Sequence, residues 1–344
     1  MGETMRAVAV RTGDVFTLEE WPRPAAGVGD VIIKVRAAGI CAADRKIYSK
    51  NHPWQLPSPY FPGHEYVGEV VDLDEAAARA TGLSLGDLAT AEILVPCRAC
   101  WFCRRGLYTH CDHAGSCVGA WADYMRIPAG AITHKVPAHF APEQGALIEP
   151  LACAVHAVSL AQIQFGDVVV VSGLGAIGMG ALQAAKLKSP GLLVGLDVDE
   201  GLLALASRLG ANLVFNAQKE DIGTRLRALT EGRGPDVFIE ASGSVASART
   251  GTEVLRKAGR LVVYGVYGQA ATLDLNLISE FKELEVRGGH VSPNTYPAAI
   301  QFLDKGWVDW RAMVTQVFPL EHWEEAIQTK GRPGVMSIKT QLIP

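Results

Sequence analysis

The chain has 344 residues, 49% of them apolar and 20% charged, with 36 glycines and a formal net charge of −4. That length favours two domains over one, and the mildly acidic balance, without any basic run, excludes a nucleic-acid-binding surface. The opening MGETMRAVAVRTGD turns polar at once, unlike a signal peptide, and the apolar run Val168–Leu182 is too short and glycine-rich to span a bilayer; the expectation is a cytoplasmic protein with no membrane partner.

Residues 5–10 alternate loosely as a first strand. A second follows at 31–37, after a Pro-Gly-rich turn, and a third at 66–73. The Ala- and Glu-rich stretch 74–80 reads as a surface excursion, and short strands punctuated by Gly and Pro continue to about residue 137. Near residue 150 the character changes. A weakly polar helix is expected at 152–163. Then come a buried strand from Val168, a helix at 179–188, a strand at 192–197 and a helix at 200–209 closed by Gly210. Further strands are read at 213–216, 237–241, 259–265 and 284–287, with helices at 221–231 and 246–255 between them. Strands alternating with helices and carrying continuous β-branched cores mean a parallel sheet. The fold class is therefore α/β: a β-rich domain over 1–152 with 295–344, and a doubly wound domain over 153–294. The tail, with a helix at 296–305 and strand-like pieces at 314–317 and 335–342, is expected to return to the first domain.

The turn Gly173-Leu-Gly175-Ala176-Ile177-Gly178 follows a run of valines and precedes a helix, the context in which this glycine spacing binds a dinucleotide. The diphosphate would rest on the helix N-terminus, where free N–H groups favour anions. Asp197 ends the next strand, nineteen residues after Gly178. A carboxylate there can accept hydrogen bonds from both adenosine ribose hydroxyls and would repel a 2′-phosphate, so NAD is favoured over NADP. Asp199 reads as a helix cap.

Of the seven cysteines, Cys97, Cys100, Cys103 and Cys111 lie within fifteen residues. Four thiolates this close can enclose one zinc ion and leave no open position, so the site is structural. Cys117 is left over. A second group is Cys41, His64 and Glu65, a thiolate–imidazole–oxygen set suited to a catalytic zinc, with Asp44 as an acceptor for the far nitrogen of His64. Glu149, just before Pro150, could also reach that metal. Two zinc ions per chain are thus expected.

With GICAAD at 39–44, PGHE at 62–65, the four-cysteine lobe, EPLAC at 149–153 and SGLGAIG at 172–178, the sequence resembles the zinc-dependent medium-chain dehydrogenase/reductase superfamily over essentially its whole length. EPLAC, NTYPAAI at 294–300 and VTQVFPLE at 314–321 draw it to the polyol branch (sorbitol-, xylitol- and erythritol/threitol-like). The resemblance implies a GroES-like catalytic domain beside a Rossmann domain. It implies a catalytic zinc on Cys41, His64 and Glu65 or Glu149, and assembly as a homodimer or homotetramer. It also implies hydride transfer between NAD and a secondary hydroxyl of a small polyol, with the ketose as the other substrate. The alternative is another secondary alcohol, such as a threonine-like amino alcohol or a simple diol. Strand 259–265 with Val266-Tyr267 is the expected subunit interface. Tyr48, Trp54, His113, Ser116 and Trp121 are candidate pocket residues. The chain departs from the family pattern where Ala43 replaces a relay hydroxyl, where Lys46 replaces a relay histidine, and where Val291 stands at an arginine position of sorbitol dehydrogenases.

Overall fold

The computed structural model describes residues 3–52, 54–330, 332 and 334–344, which divide into two compact units, 1–149 with 299–304 and 314–344, and 150–298 with 305–313. The expected boundaries differ by a few residues, and 305–313 falls with the second unit.

The first unit opens with β1 (Thr4–Arg11) and β2 (Val15–Pro22), an antiparallel hairpin turned by Gly13 and Asp14, both at positive φ. Next come β3 (Val31–Gly39), β4 (Tyr66–Leu73), β5 (Leu88–Ala91), β6 (Leu94–Val95), β7 (Gly115–Ser116), β8 (Tyr124–Ile127) and β9 (Thr133–Val136). β3 shows why these residues form a half-buried strand: in VIIKVRAAG the apolar side chains are buried and Lys34 and Arg36 face water. The core joins Ile33, Val35, Tyr66, Val70, Trp121 and Ile127. Residues 74–80 are more than an excursion. Asp74 accepts the Ala77 N–H at 2.7 Å and caps a helix, Glu75–Thr81, that ends on left-handed Gly82.

The second unit holds β10 (Val168–Ser172), β11 (Leu192–Asp197), β12 (Leu213–Asn216), β13 (Val237–Glu240), β14 (Arg260–Val263) and β15 (Glu285–Gly288). They form one all-parallel sheet in the order β12-β11-β10-β13-β14-β15. Helices Ala176–Lys186, Glu200–Leu209, Ile222–Ala228 and Val245–Val254 supply crossovers. β14 lies between β13 and β15 with Leu261 and Val262 fully buried. Of the residues expected at a subunit interface, Leu261 and Val262 therefore belong to the core, while Val266, just beyond the strand, is exposed, and β15 is the sheet edge on that side.

The chain then returns to the first unit through β16 (Val314–Pro319) and β17 (Lys339–Ile343). These complete a sheet in the order β16-β17-β3-β4-β5-β9, with β8 also on β3. Residues 335–338, expected as strand, are not. Among the described residues, Pro142–Ala161 is the one helical run long and apolar enough to cross a membrane, and 83% of its apolar window is buried inside the protein.

Candidate active site

The first side-chain group grows out of the β3–β4 pair. These strands run antiparallel with Ala38 opposite Tyr66, so the residues after β3 and those before β4 meet at one end. The Gly39 N–H donates to the Glu65 carbonyl at 2.6 Å and closes that end. Cys41 then caps the helix Ala42–Tyr48, and the Asp44 carboxylate accepts the Cys41 N–H at 2.8 Å. His64 and Glu65 come directly before β4. The result is that ligand atoms of Cys41, His64 and Glu65 all lie within 4.8 Å of one another. Glu149, in the first turn of the helix Ile148–Ala161, is 6% exposed.

The charge balance of this group explains what it can hold. Asp44, His64, Glu65 and Glu149 are all buried. Burial pushes the Asp44 carboxyl up. Burial would lower the His64 imidazole, but the nearby charges of Cys41, Asp44 and Glu149 hold it well above its ordinary range. Acids crowding a buried imidazole, with one thiol in reach, are a donor set that fits a divalent zinc ion. Asp44 has a local task besides its charge on His64: it builds the helix start that fixes Cys41.

One further member, Lys339, has no sign in the sequence. It is 4% exposed in its side chain, and its Nζ donates to both Glu65 oxygens, at 2.6 and 2.7 Å, and to the Ile40 carbonyl at 3.4 Å. The Glu65 charge raises the ammonium against the opposing effect of burial. Gly39 is obligatory beside this pair, because a Cβ there would stand 2.0 Å from Glu65 Oε2. Glu65 is therefore engaged through both oxygens by a cation 274 residues away in the chain. Ala43 and the half-buried Lys46 lie on the helix after Cys41.

The cysteine lobe is a different construction. Cys97, Cys100, Cys103 and Cys111 bring their sulfurs within 4.8 Å of one another, and all four are free thiols. Backbone N–H groups point at the sulfurs: Cys100 N–H donates to Cys97 Sγ at 3.3 Å, Cys103 N–H to Cys100 Sγ at 3.4 Å, and Cys97 N–H to Cys111 Sγ at 3.3 Å. Such donors favour the thiolate. The Cys100 thiol accordingly falls to about 6, chiefly through the Cys103 N–H. A tetrahedral ion fits this cage. Cys117 stays apart, fully buried against the Tyr66 hydroxyl at 3.0 Å.

In the second unit the glycine turn joins β10 to the helix Ala176–Lys186. A Cβ on Gly178 would lie 1.7 Å from the Gly173 carbonyl oxygen, so helix and turn approach as only glycine allows, whereas the space beside Gly175 is open to a ligand. Asp197 closes β11 and accepts the Leu174 N–H at 2.6 Å and the Val198 N–H at 2.7 Å, which holds its carboxylate against the turn. Asp199 caps the next helix by accepting the Leu202 N–H at 3.0 Å.

The aromatic pocket candidates divide. Trp121 is a core residue, 1% exposed, with its indole N–H on the Gly39 carbonyl at 3.1 Å. Tyr48 packs edge-on against Phe16 and Trp323. Trp54 is exposed and stacks on His52, and His113 and Ser116 are exposed near the cysteine lobe.

Comparison with known proteins agrees with this construction. Residues 27–138 match the alcohol dehydrogenase GroES-like domain, and residues 176–305 match the zinc-binding dehydrogenase domain. The chain belongs to the zinc-binding alcohol dehydrogenase family, in the medium-chain dehydrogenase/reductase superfamily. It is an oxidoreductase that uses zinc and a nicotinamide cofactor. It is 40% identical over 356 aligned residues, 99% of this chain and 98% of the relative, to the erythritol/L-threitol dehydrogenase of Mycolicibacterium smegmatis. It is 33% identical to the sorbitol dehydrogenase of Halalkalibacterium halodurans, covering 90% of this chain and 91% of that one. Among solved structures, a Sinorhizobium meliloti 1021 protein described as a zinc-binding dehydrogenase and bound to NADP superposes with a TM-score of 0.92 at 26% identity, covering 99% of this chain and 100% of that one.

Proposed function

We propose that this enzyme oxidises a secondary hydroxyl of a small polyol with NAD, or reduces the matching ketose. The observation that carries the reading is the 40% identity, end to end, with an erythritol/L-threitol dehydrogenase, in a chain whose own ligand set is complete. Cys41 and His64 would hold the catalytic zinc, with Glu149 as the third protein ligand in preference to Glu65, whose two oxygens are already engaged by Lys339. Cys97, Cys100, Cys103 and Cys111 would hold the structural ion. When bound, the catalytic zinc would supply Lewis acidity that lowers the pKa of a substrate hydroxyl, and the nicotinamide would supply the hydride acceptor.

The chain's own residues do the rest. Asp197 orients the adenosine ribose and disfavours a 2′-phosphate, so NAD is preferred. The N–H groups at Ala176 and Ile177 open a helix and receive the diphosphate. Asp44 fixes the Cys41 backbone. Because Ala43 has no hydroxyl to pass a proton, a Glu149 carboxylate oxygen is the acceptor we assign when it is not bound to metal. Free thiols throughout suit a reducing cytoplasm, and the working form is a homodimer or homotetramer, which sedimentation would test. NADH formation against a panel of C4 to C6 polyols, simple diols and L-threonine decides the substrate. Preferred turnover of a polyol supports the reading, and preferred turnover of threonine or a diol replaces it.

A further inference from the structure

A fully buried carboxylate in the second unit has no part in the reading above. Glu240 ends β13 and is 0% exposed. β13 pairs with β10, where Ser172 stands opposite Glu240, and with β14, where Val263 does. The sheet winds outward in one direction through β11 and β12 and in the other through β13, β14 and β15. Glu240 thus stands at the carboxyl end of the strand where the winding reverses, the place at which open α/β sheets receive ligands.

Its hydrogen bonds reach two segments. One oxygen accepts from the Ser242 N–H at 2.9 Å, from the Gly243 N–H at 3.1 Å and from the Ser242 hydroxyl. The other accepts the Tyr267 hydroxyl at 2.6 Å and the Gly243 N–H at 3.2 Å. The Glu240 carbonyl also accepts the N–H groups of Tyr264 and Gly265, at 2.8 and 3.0 Å. Burial first, and then the bond to Glu240, keep the Tyr267 hydroxyl protonated and donating. The fit leaves no slack. A Cβ on Gly265 would lie 2.5 Å from Glu240 Oε2, and a Cβ on Gly173 would lie 2.6 Å from Ser242 Cα, so the segment after β13 abuts the glycine turn itself. Burying a carboxylate among neutral donors costs more than an apolar side chain would, so packing alone is a poor account of this residue.

We infer that Glu240 and Tyr267 are positioning residues that brace segments 241–243 and 264–267 as the receiving surface for the nicotinamide ring of the dinucleotide. With the adenosine ribose at Asp197 on β11 and the diphosphate on the helix after β10, the other half extends across the reversal to the ends of β13 and β14, where these segments lie. The inference rests on the assignment of Asp197 and the glycine turn, and it needs no particular alcohol as substrate.

The test is a substrate-free titration of the zinc-loaded enzyme and its Tyr267→Phe variant with NADH, followed by fluorescence, and with ADP-ribose, followed by calorimetry. ADP-ribose lacks the nicotinamide. The expected result is that Y267F weakens NADH about tenfold and ADP-ribose by less than about twofold, with KM for NAD rising in parallel and KM for the alcohol little changed. Glu240→Gln, which keeps the shape but turns an amide N–H toward donors, should give the same selective loss. If E240Q does not fold, Y267F decides alone. NADH affinity within about twofold of wild type in Y267F, or equal losses for NADH and ADP-ribose, overturns the inference. A wrong polyol assignment leaves this titration intact, whereas a wild-type enzyme that binds ADP-ribose but not NADH overturns the nicotinamide reading and this inference together.

Discussion

The two candidate metal-ligand groups of the first unit are built by opposite means. The cysteine lobe takes all four sulfurs from residues 97–111 and turns N–H groups of its own backbone toward those of Cys97, Cys100 and Cys111. The Cys41–His64–Glu65 group takes its members from the ends of two strands, borrows Glu149 from a helix start, and sets a buried lysine from a third strand against Glu65. A short closed loop around four like ligands has one use, to fix the chain through the ion. Unlike ligands gathered from distant segments, with more acids than a single lysine can neutralise, place reactivity in a rigid frame. The difference predicts that damage to one group should appear in folding and damage to the other in turnover.

The largest expected effect is His64→Ala. We expect kcat to fall by at least about a thousandfold, zinc to fall from two ions per chain to one, and the melting temperature to change little. Steady-state kinetics with elemental analysis on the same samples checks this; a variant that keeps turnover removes His64 from the chemistry. Cys100→Ser should do the reverse. It should destabilise the chain by several kcal/mol, since structural-zinc binding energy is folding energy, and a well-folded C100S enzyme with normal kcat per catalytic zinc would erase the contrast.

Lys339→Met sharpens the comparison, because it strands Glu65 as an unpaired buried charge. Breaking such a pair costs about 3–5 kcal/mol, readable as a shift in the urea midpoint. The double change Lys339→Met with Glu65→Gln should recover much of that loss. Glu149→Gln should lower kcat by about 10–100-fold, the range for groups that support a metal site, with NADH affinity near normal. If kcat per zinc-loaded site holds, Glu149 serves only its helix. The smallest effect belongs to Asp197→Ala: the ratio of kcat/KM for NAD over NADP should narrow about tenfold, which is the loss of roughly 1.4 kcal/mol of discrimination.

Legibility followed the range of the interaction. In the second unit the expected strands 192–197 and 213–216 and the helix 200–209 have those bounds in the structure, because hydrophobic runs, an Asp cap and a closing glycine are local signals. The cysteine group was legible for the same reason. β2 was not, since Thr17, Glu19 and Glu20 dilute its apolar pattern; the Gly13-Asp14 turn was the available sign. The helix after Cys41 was also missed, although Asp44 three residues on completes a capping box. The neighbours of β14 were not legible, because a sequence shows that a strand is apolar and not which strands flank it. Lys339 could not be read at all: nothing near it in the chain marks it as the partner of a carboxylate 274 residues earlier.

That separation has a consequence for how the molecule is made. The second unit lies in the chain between Glu65 and Lys339. A ribosome adding about 5–20 residues per second completes that interval in roughly 14–55 s, and throughout it Glu65 is without the lysine that engages both its oxygens. The strand bearing the lysine then has to find β3, already paired on its other flank. Maturation of this site is therefore ordered by synthesis: the sheet around it waits for β17, and a nascent chain halted within the second unit would carry Cys41 and His64 beside a Glu65 still short of Lys339.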